Sequence, residues 1–338
     1  TMKVLRFLLF PFTVLYDFVT RIRNLFFDIG FFKSTAFETP IIIVGNLSMG
    51  GTGKTPQIEY LVRMLQERHT VSILSRGYKR SSKGFILVNE THTAKAVGDE
   101  PLQYYKKFKK IHVAVDANRV AGISKLMTFV NPEIILLDDA FQHRKVQGSC
   151  TILLTKWDAL FVADYVVPTG NLREGKYGAK RADIILVTKC PEDFPLQQQA
   201  IIKEKLSKFQ KKIFFTSISY AKTIIGAHEI QTSALKDFNV LLITGIANPT
   251  PLLDYLSGLA VCFQHLKFGD HHHFSEKDIQ SIQTRFNQIE SPKMILTTEK
   301  DYVRLVHFLT AVSYLPIETF FLNGEEQAFE AIVAKSLK

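Results

Sequence analysis

The chain of 338 residues is 46% hydrophobic and 22% charged, which excludes a disulfide-stapled miniprotein, wholesale disorder and a polytopic membrane bundle. Two domains, or one large one, fit this length. Its 42 basic against 32 acidic side chains leave a surplus of +10 that favours an anionic partner, whether nucleic acid, a phosphorylated small molecule or acidic lipid.

The amino-terminal segment stands apart, with nine of the 27 phenylalanines lying between Phe7 and Phe37. Its longest uncharged stretch, 7–16, contains Pro11 and falls far short of the ~20 apolar residues that span a bilayer. The apolar run leads into Tyr16, Asp17, Arg21 and Arg23 rather than into a small-residue cleavage site, so a retained segment is expected in place of a secretory signal. Helical spacing over 14–29 gathers Val14, Leu15, Phe18, Val19, Ile22, Leu25, Phe26 and Ile29 into one stripe, opposite Asp17, Thr20, Arg21, Asn24 and Asp28. Lys3, Arg6, Arg21, Arg23 and Lys33 outnumber Asp17 and Asp28. Such a helix suits either the headgroup boundary of an anionic membrane or the protein's own core, and the pattern leaves both open.

Apolar, β-branched runs follow at 41–44, 71–74, 112–115, 134–137, 151–154, 184–187 and 213–215. They lack polar alternation and most are separated by stretches long enough for a crossover helix, which predicts an α/β fold with a parallel sheet covered on both faces. The first run enters Gly45-Asn46-Leu47-Ser48-Met49-Gly50-Gly51-Thr52-Gly53-Lys54-Thr55 and leaves as a helix marked by Ile58, Leu61, Val62 and Leu65. This strand, loop and helix aim the backbone of Ser48, Met49, Gly50, Gly51, Thr52 and Gly53 at a triphosphate; Lys54 adds a point charge, and the Thr55 hydroxyl can ligate magnesium. The loop departs once from the usual G-x-x-x-x-G-K-[ST] pattern, with Ser48 at the first glycine. The run 134–137 ends in Asp138-Asp139, where a P-loop enzyme needs a carboxylate for its hydrated metal. After 184–187 the guanine-reading Asn-Lys-x-Asp is replaced by Thr188-Lys189-Cys190-Pro191, which points to adenine. Cys150, Cys190 and Cys262 are far apart and make no Cys-x-x-Cys pair, arguing against a disulfide framework or a structural zinc and for a reducing compartment.

Beyond a soft boundary near 216–235 the rhythm restarts at 240–244 and 294–297, predicting a smaller second α/β domain, and 325–338 has the spacing of an amphipathic helix. The expected division is therefore a helical segment at 1–38, a P-loop domain at 39–215 and a smaller domain at 216–338 that closes the cleft.

Two kinds of protein use such a loop. Gly50 to Thr55 resembles the loop of membrane-partitioning ATPases, switches that bind a membrane through an amphipathic helix, but Met49 stands where those proteins carry a second lysine. A phosphotransferase needs a base, metal ligands and cationic clamps besides the loop. Candidates stand in Ser75-Arg76-Gly77-Tyr78, Gly98-Asp99-Glu100-Pro101, Asp116-Ala117-Asn118-Arg119, Asp138-Asp139-Ala140-Phe141-Gln142-His143, Asn171-Leu172-Arg173-Glu174, Gly269-Asp270-His271-His272-His273-Phe274 and Thr298-Glu299-Lys300-Asp301.

In that order, from about 39 to 301, these motifs resemble the tetraacyldisaccharide 4'-kinase family, the lipid A kinases of Gram-negative bacteria. The resemblance implies ATP-dependent phosphorylation of the 4'-hydroxyl of a tetraacylated glucosamine disaccharide 1-phosphate at the cytoplasmic face of the inner membrane. It implies ATP and Mg2+ as cofactors, an anionic membrane surface met by the amino-terminal helix, and neither nucleic acid nor an obligate protein partner. It also implies that Asp99 accepts the hydroxyl proton and that His271 orients or tunes it. Thr55, Asp138, Asp139 and Glu174 are the expected magnesium set, and Arg76, Arg119 and Arg173 the expected phosphate clamps. Three consecutive histidines cannot converge on one tetrahedral ion, so His272 and His273 are expected to be surface or wall residues. Lys300 is expected near the interdomain cleft with its role open, and residues beyond about 302 add little.

Overall fold

A computed structural model describes residue 6 and residues 8–337. Lys3 and Phe7 of the amino-terminal pattern, and Lys338 of the expected terminal helix, lie outside the described residues.

A nine-stranded sheet runs in the order β15-β8-β7-β6-β1-β5-β2-β4-β3. Its strands are β1 (Ile41–Asn46), β2 (Val71–Ser75), β3 (Ile86–Leu87), β4 (His112–Val115), β5 (Ile134–Asp138), β6 (Cys150–Lys156), β7 (Ile184–Thr188), β8 (Lys212–Tyr220) and β15 (Ile317–Phe321). All pairings are parallel except those of the edge strands β3 and β15. The expected runs are therefore the inner strands, and β1, β2, β5 and β7 are buried along their whole length, as covering on both faces requires. A second sheet has the order β10-β9-β14-β13-β11-β12. It contains β9 (Thr223–Gly226), β10 (Ile230–Gln231), β11 (Asn239–Thr244), β12 (Cys262–Lys267), β13 (Lys293–Thr298) and β14 (Val312–Leu315).

Six helices position the site: α1 (Phe10–Asp28), α2 (Lys54–Leu65), α3 (Asp99–Lys107), α4 (Arg119–Phe129), α5 (Glu299–Leu305) and α6 (Glu326–Ser336). The expected limits at 39–215 and 216–338 do not follow the two sheets. β8 runs on to Tyr220, β15 returns from the second sheet to pair antiparallel with it, and Phe329 and Val333 of α6 enter the core beside β1. Pairing with β8 leaves β15 at the sheet edge, and α6 then buries its apolar face against Tyr60, Phe214 and Phe321.

Helix α1 docks through its polar side. Thr13 and Phe27 are buried, and Thr13 Oγ1 donates to Thr169 Oγ1 at 2.7 Å and accepts from Thr169 N at 3.0 Å. Tyr16 Oη donates to the Arg173 carbonyl at 3.1 Å, Asn24 Nδ2 to Glu174 Oε2 at 2.8 Å and Arg144 Nη2 to Asp28 Oδ1 at 2.7 Å. Most of the apolar stripe points away: Val14, Leu15, Phe18, Val19, Leu25 and Ile29 are each more than half exposed, while Ile22 and Phe26 are half-buried. Of the two readings the pattern left open, packing of this stripe on the protein's own core is not what the fold adopts. Among the described residues no helix is long and apolar enough to cross a membrane.

Candidate active site

The P-loop forms between two well-packed elements. β1 is buried end to end, and α2 begins at Lys54 directly after Gly53, whose φ of +86° is a left-handed conformation that favours glycine. The first half of the loop is tied down by main-chain bonds from Met49 N to the Asn171 carbonyl and from Arg173 N to the Leu47 carbonyl, both 2.7 Å. Ser48, the departure from the usual pattern, faces Leu172 in an antiparallel bridge, so the segment that supplies Arg173 is held on the loop itself. The second half is held by Thr188 Oγ1, which donates to the Thr52 carbonyl at 2.7 Å. The buried Thr52 hydroxyl has no hydrogen-bond partner among the described residues.

Lys54 Nζ lies 3.3 Å from Asn46 Oδ1 and 3.5 Å from Asp139 Oδ1. Arg173 Nη1 donates to both Asp139 oxygens, at 2.8 and 3.0 Å. Burial pushes the Asp139 carboxyl up, but Lys54 and Arg173 outweigh it and hold it below its ordinary range. Asp138 is the opposite case: burial, then the like charges of Asp139 and Glu100, push it up to about 6 despite Lys54 and Arg119. Parallel pairing of β1 with β5 sets Val44 opposite Asp138, which brings the carboxylates beside the P-loop.

Glu174 does not join them in a three-carboxylate cluster, and among the described residues no group of three or more His, Cys, Asp or Glu is arranged for a metal. Its oxygens accept from Asn24 at 2.8 Å, Arg181 at 2.7 Å and Gln142 at 3.2 Å, binding α1 to the segments that carry Gln142 and Arg181. Gln142 Nε2 also donates to the Asn46 carbonyl at 2.9 Å. The expected clamps divide. Arg173 is committed to Asp139, whereas Arg76 is exposed and lines a cleft of about 440 Å³ with Tyr78, Lys79, Arg80 and Lys83. Arg119 is buried, giving Nη1 to the Asp116 carbonyl at 2.5 Å and Nη2 to the Asp138 carbonyl at 3.3 Å, with Nε unpartnered among the described residues. Burial, followed by the Arg119 and Arg76 charges, lowers His143 to about 4 and keeps it neutral.

Asp99 opens α3, and its position depends on Gly98, which has a φ of +98° and approaches Gly77 so closely that a Cβ on Gly98 would lie 3.2 Å from the Gly77 Cα. Asp99 Oδ2 lies 2.8 Å from His271 Nδ1, uniting two residues 172 positions apart. His272 turns elsewhere, with Nε2 3.0 Å from Asp278 Oδ2, so the histidine run does not converge. Lys300 Nζ lies 3.0 Å from His271 Nε2 and 3.3 Å from Asp270 Oδ1, which places it at the pair.

Two residues escape the sequence reading. Arg304 of α5 spans the Asp99 carboxylate, with Nε 2.9 Å from Oδ1 and Nη2 2.5 Å from Oδ2, although residues past 302 had promised little. Lys189 approaches the P-loop: a Cβ on Gly51 would lie 3.8 Å from its Nζ. A charged residue three positions after Asp301 on a helix was the available signal for the first, and the basic step after β7 for the second.

Helix α3 brings this pair to the P-loop helix. Tyr104 sits against Thr55, Gln103 Nε2 donates to Glu59 Oε1 at 2.8 Å, and Lys107 Nζ binds Glu59 Oε2 at 2.6 Å. The arrangement therefore offers an anion cradle with a lysine, a pair of carboxylates suited to a cation, and a carboxylate–imidazole pair that can receive a proton.

The model of the family described as tetraacyldisaccharide-1-P 4'-kinase matches residues 5–338. The chain is similar to a tetraacyldisaccharide 4'-kinase of Flavobacterium johnsoniae, 48% identical over 100% of this chain and 98% of that protein. It is similar to another of Flavobacterium psychrophilum, 50% identical over 98% and 97% respectively. Its fold is similar to a crystal structure of LpxK from Aquifex aeolicus in complex with ATP, with a TM-score of 0.81 and 30% identity over 99% of this chain and 100% of that one. A P-loop joined to an Asp99–His271 pair, together with full-length likeness to these proteins, leaves one conclusion: the chain belongs to the tetraacyldisaccharide 4'-kinase family.

Proposed function

We propose that this chain transfers the γ-phosphoryl group of ATP to the 4'-hydroxyl of tetraacyldisaccharide 1-phosphate, from a docked position on the cytoplasmic face of the inner membrane. The observation that carries the mechanism is the packing of α3 on α2, which sets Asp99, with His271 bonded to it, and the Lys54–Thr55 corner on adjoining helices.

Gly50 to Gly53 cradle the phosphates with main-chain N–H groups, and Lys54 neutralises charge on the transferring group. Asp99 and His271 orient the acceptor hydroxyl and take its proton as its oxygen bonds to phosphorus. The bond from phosphorus to the bridging oxygen breaks, and its electron pair leaves with ADP. Lys300 supplies a cationic contact at His271 and Arg76 one in the cleft it shares with Tyr78, while Arg119 and Arg173 act by fixing backbone and Asp139.

Thr55, Asp138 and Asp139 fit a magnesium ion. They offer hard oxygen ligands, and Asp138, pushed up by burial and then by the charge of Asp139, is relieved by a divalent cation. Bound there, it would neutralise charge on the β- and γ-phosphates. Glu174 joins these ligands only by exchanging one of its present partners for the metal.

The substrate's acyl chains keep it in the bilayer, so the enzyme has to work at the interface. The outward apolar face of α1, flanked by Arg21 and Arg23, suits the acyl boundary and anionic headgroups. The test is transfer of label from [γ-32P]ATP to tetraacyldisaccharide 1-phosphate in mixed micelles. Wild type should yield a 4'-phosphorylated product and Lys54→Ala should lose turnover by at least about 100-fold. ATP hydrolysis without labelled lipid would favour a membrane switch and overturn the kinase reading.

A further inference from the structure

Building on the kinase reading, we propose that Arg304 is a positioning residue for the transfer step: it acts through Asp99, fixing the carboxylate that orients His271. Its side chain is 5% exposed and lies on α5, in the part of the chain that carries the second sheet, yet its guanidinium reaches across to Asp99 at the start of α3. Both Asp99 oxygens are engaged by the fork, Oδ1 by Nε at 2.9 Å and Oδ2 by Nη2 at 2.5 Å. A bidentate pair of this kind fixes the plane of a carboxylate, which a single contact leaves free to turn about its χ2 torsion. With the plane fixed, Oδ2 stays 2.8 Å from His271 Nδ1, and Nε2 is directed to Lys300.

The fork is itself braced. Nη1 donates to Asp301 Oδ1 at 3.2 Å and to the His272 carbonyl at 3.4 Å. Asp301 is fully buried and accepts from Gly245 N at 2.8 Å and Thr298 Oγ1 at 2.7 Å. Order therefore passes from the cap of α5, through Asp301 and Arg304, to Asp99 and His271. An ion pair serving stability alone needs neither a shared fork nor a second buried carboxylate behind it.

The charges around Asp99 give the role a signature. Arg304 faces it from α5 with Asp301 behind, His271 faces it from the loop after β12 with Lys300 and Asp270 behind, and Glu100 follows it on α3. Burial pushes the Asp99 carboxyl up, and the His271 and Arg304 hydrogen bonds reverse this and hold it well below the usual carboxylate range. Without Arg304, burial and His271 remain, so Asp99 protonates at higher pH and activity fails earlier on the acid side.

The experiment measures kcat, KM for ATP and the pH dependence of kcat/KM in full-length wild type, Arg304→Met and Arg304→Lys. Arg304→Met should lose about 100-fold in kcat, keep its KM for ATP and show an acid limb displaced to higher pH. Arg304→Lys restores the charge but not the fork, so it should return the limb toward wild type while losing about tenfold in kcat. An unmoved acid limb in Arg304→Met, with a rate loss matching its folded fraction by circular dichroism, overturns the proposal. Should Arg304→Met not fold, Arg304→Lys decides: wild-type kcat there removes the case for the fork. The two readings separate cleanly, because a failure of the kinase reading appears as absent lipid labelling in wild type itself.

Discussion

Replacing Leu15 and Phe18 together by serine separates a membrane face from a packed face. The two side chains are 61% and 59% exposed. Full burial of such a side chain is worth about 2 kcal/mol, so the part still available to lipid amounts to about 1.2 kcal/mol each, or about 2.5 kcal/mol together. At 1.4 kcal/mol per decade this is about a 60-fold weaker partition. Vesicle flotation with phosphatidylglycerol-containing liposomes, titrated over lipid concentration, measures that ratio. Thermal unfolding of the same variant should stay within about 0.5 kcal/mol of wild type, because neither residue belongs to a described core cluster. Unchanged flotation refutes the argument, and so does a loss of several kcal/mol in stability, which would mean that the stripe packs on protein.

Asp138→Asn tests the carboxylate pair. Because folding raises the Asp138 pKa to about 6, its contribution to stability is fullest below the unfolded value near 3.9 and is lost as pH rises through about 6. The variant should therefore be more stable than wild type at pH 7.5 in EDTA, by about 1–3 kcal/mol in thermal melts, and lose transferase activity; equal melting there would contradict the burial argument. Phe329→Ala tests where the carboxyl-terminal helix belongs. This fully buried ring packs with Tyr60, Phe214 and Phe321, so denaturant unfolding should show a loss of about 3–5 kcal/mol. A loss confined to the second sheet, seen by hydrogen exchange, would speak against its place in the P-loop core.

The parallel sheet was legible because covering both faces of a strand leaves unbroken apolar runs, and the P-loop because its geometry demands glycine, lysine and threonine at fixed spacing. Helix α1 was half legible: helical periodicity separated the stripe from Asp17, Thr20 and Asn24, but it carries no information on which side meets protein. The deciding contacts, Thr13 with Thr169 and Asn24 with Glu174, join positions 156 and 150 apart. Arg304 was hidden for the same reason, since its partner Asp99 is 205 positions away and α5 is a short helix with ordinary composition. Glu174 shows the converse: its motif placed it with the acidic residues, while three neighbouring donors claim its oxygens. β15 was invisible as a return to the first sheet because an edge strand pairs on one side only and needs no distinctive pattern.

The contacts between the two sheets' parts include a charged cluster where they meet the site. Lys107 of α3 bridges Glu59 of α2 at 2.6 Å and Glu299 of α5 at 2.8 Å, beside the Asp99–Arg304 pair. One lysine thus serves two buried carboxylates. Burial, and then the charge of Glu59, push Glu299 up to about 7, and its Oε1 is buried without a partner among the described residues. Burying ions costs desolvation that their attraction only partly offsets, so a charged junction holds less firmly than an apolar one of the same area. Helix α5 therefore presents Arg304 to Asp99 and Lys300 to His271 across a junction in which the charged cluster lies beside an apolar contact, Val303 of α5 sharing a buried cluster with Leu102 and Tyr104 of α3.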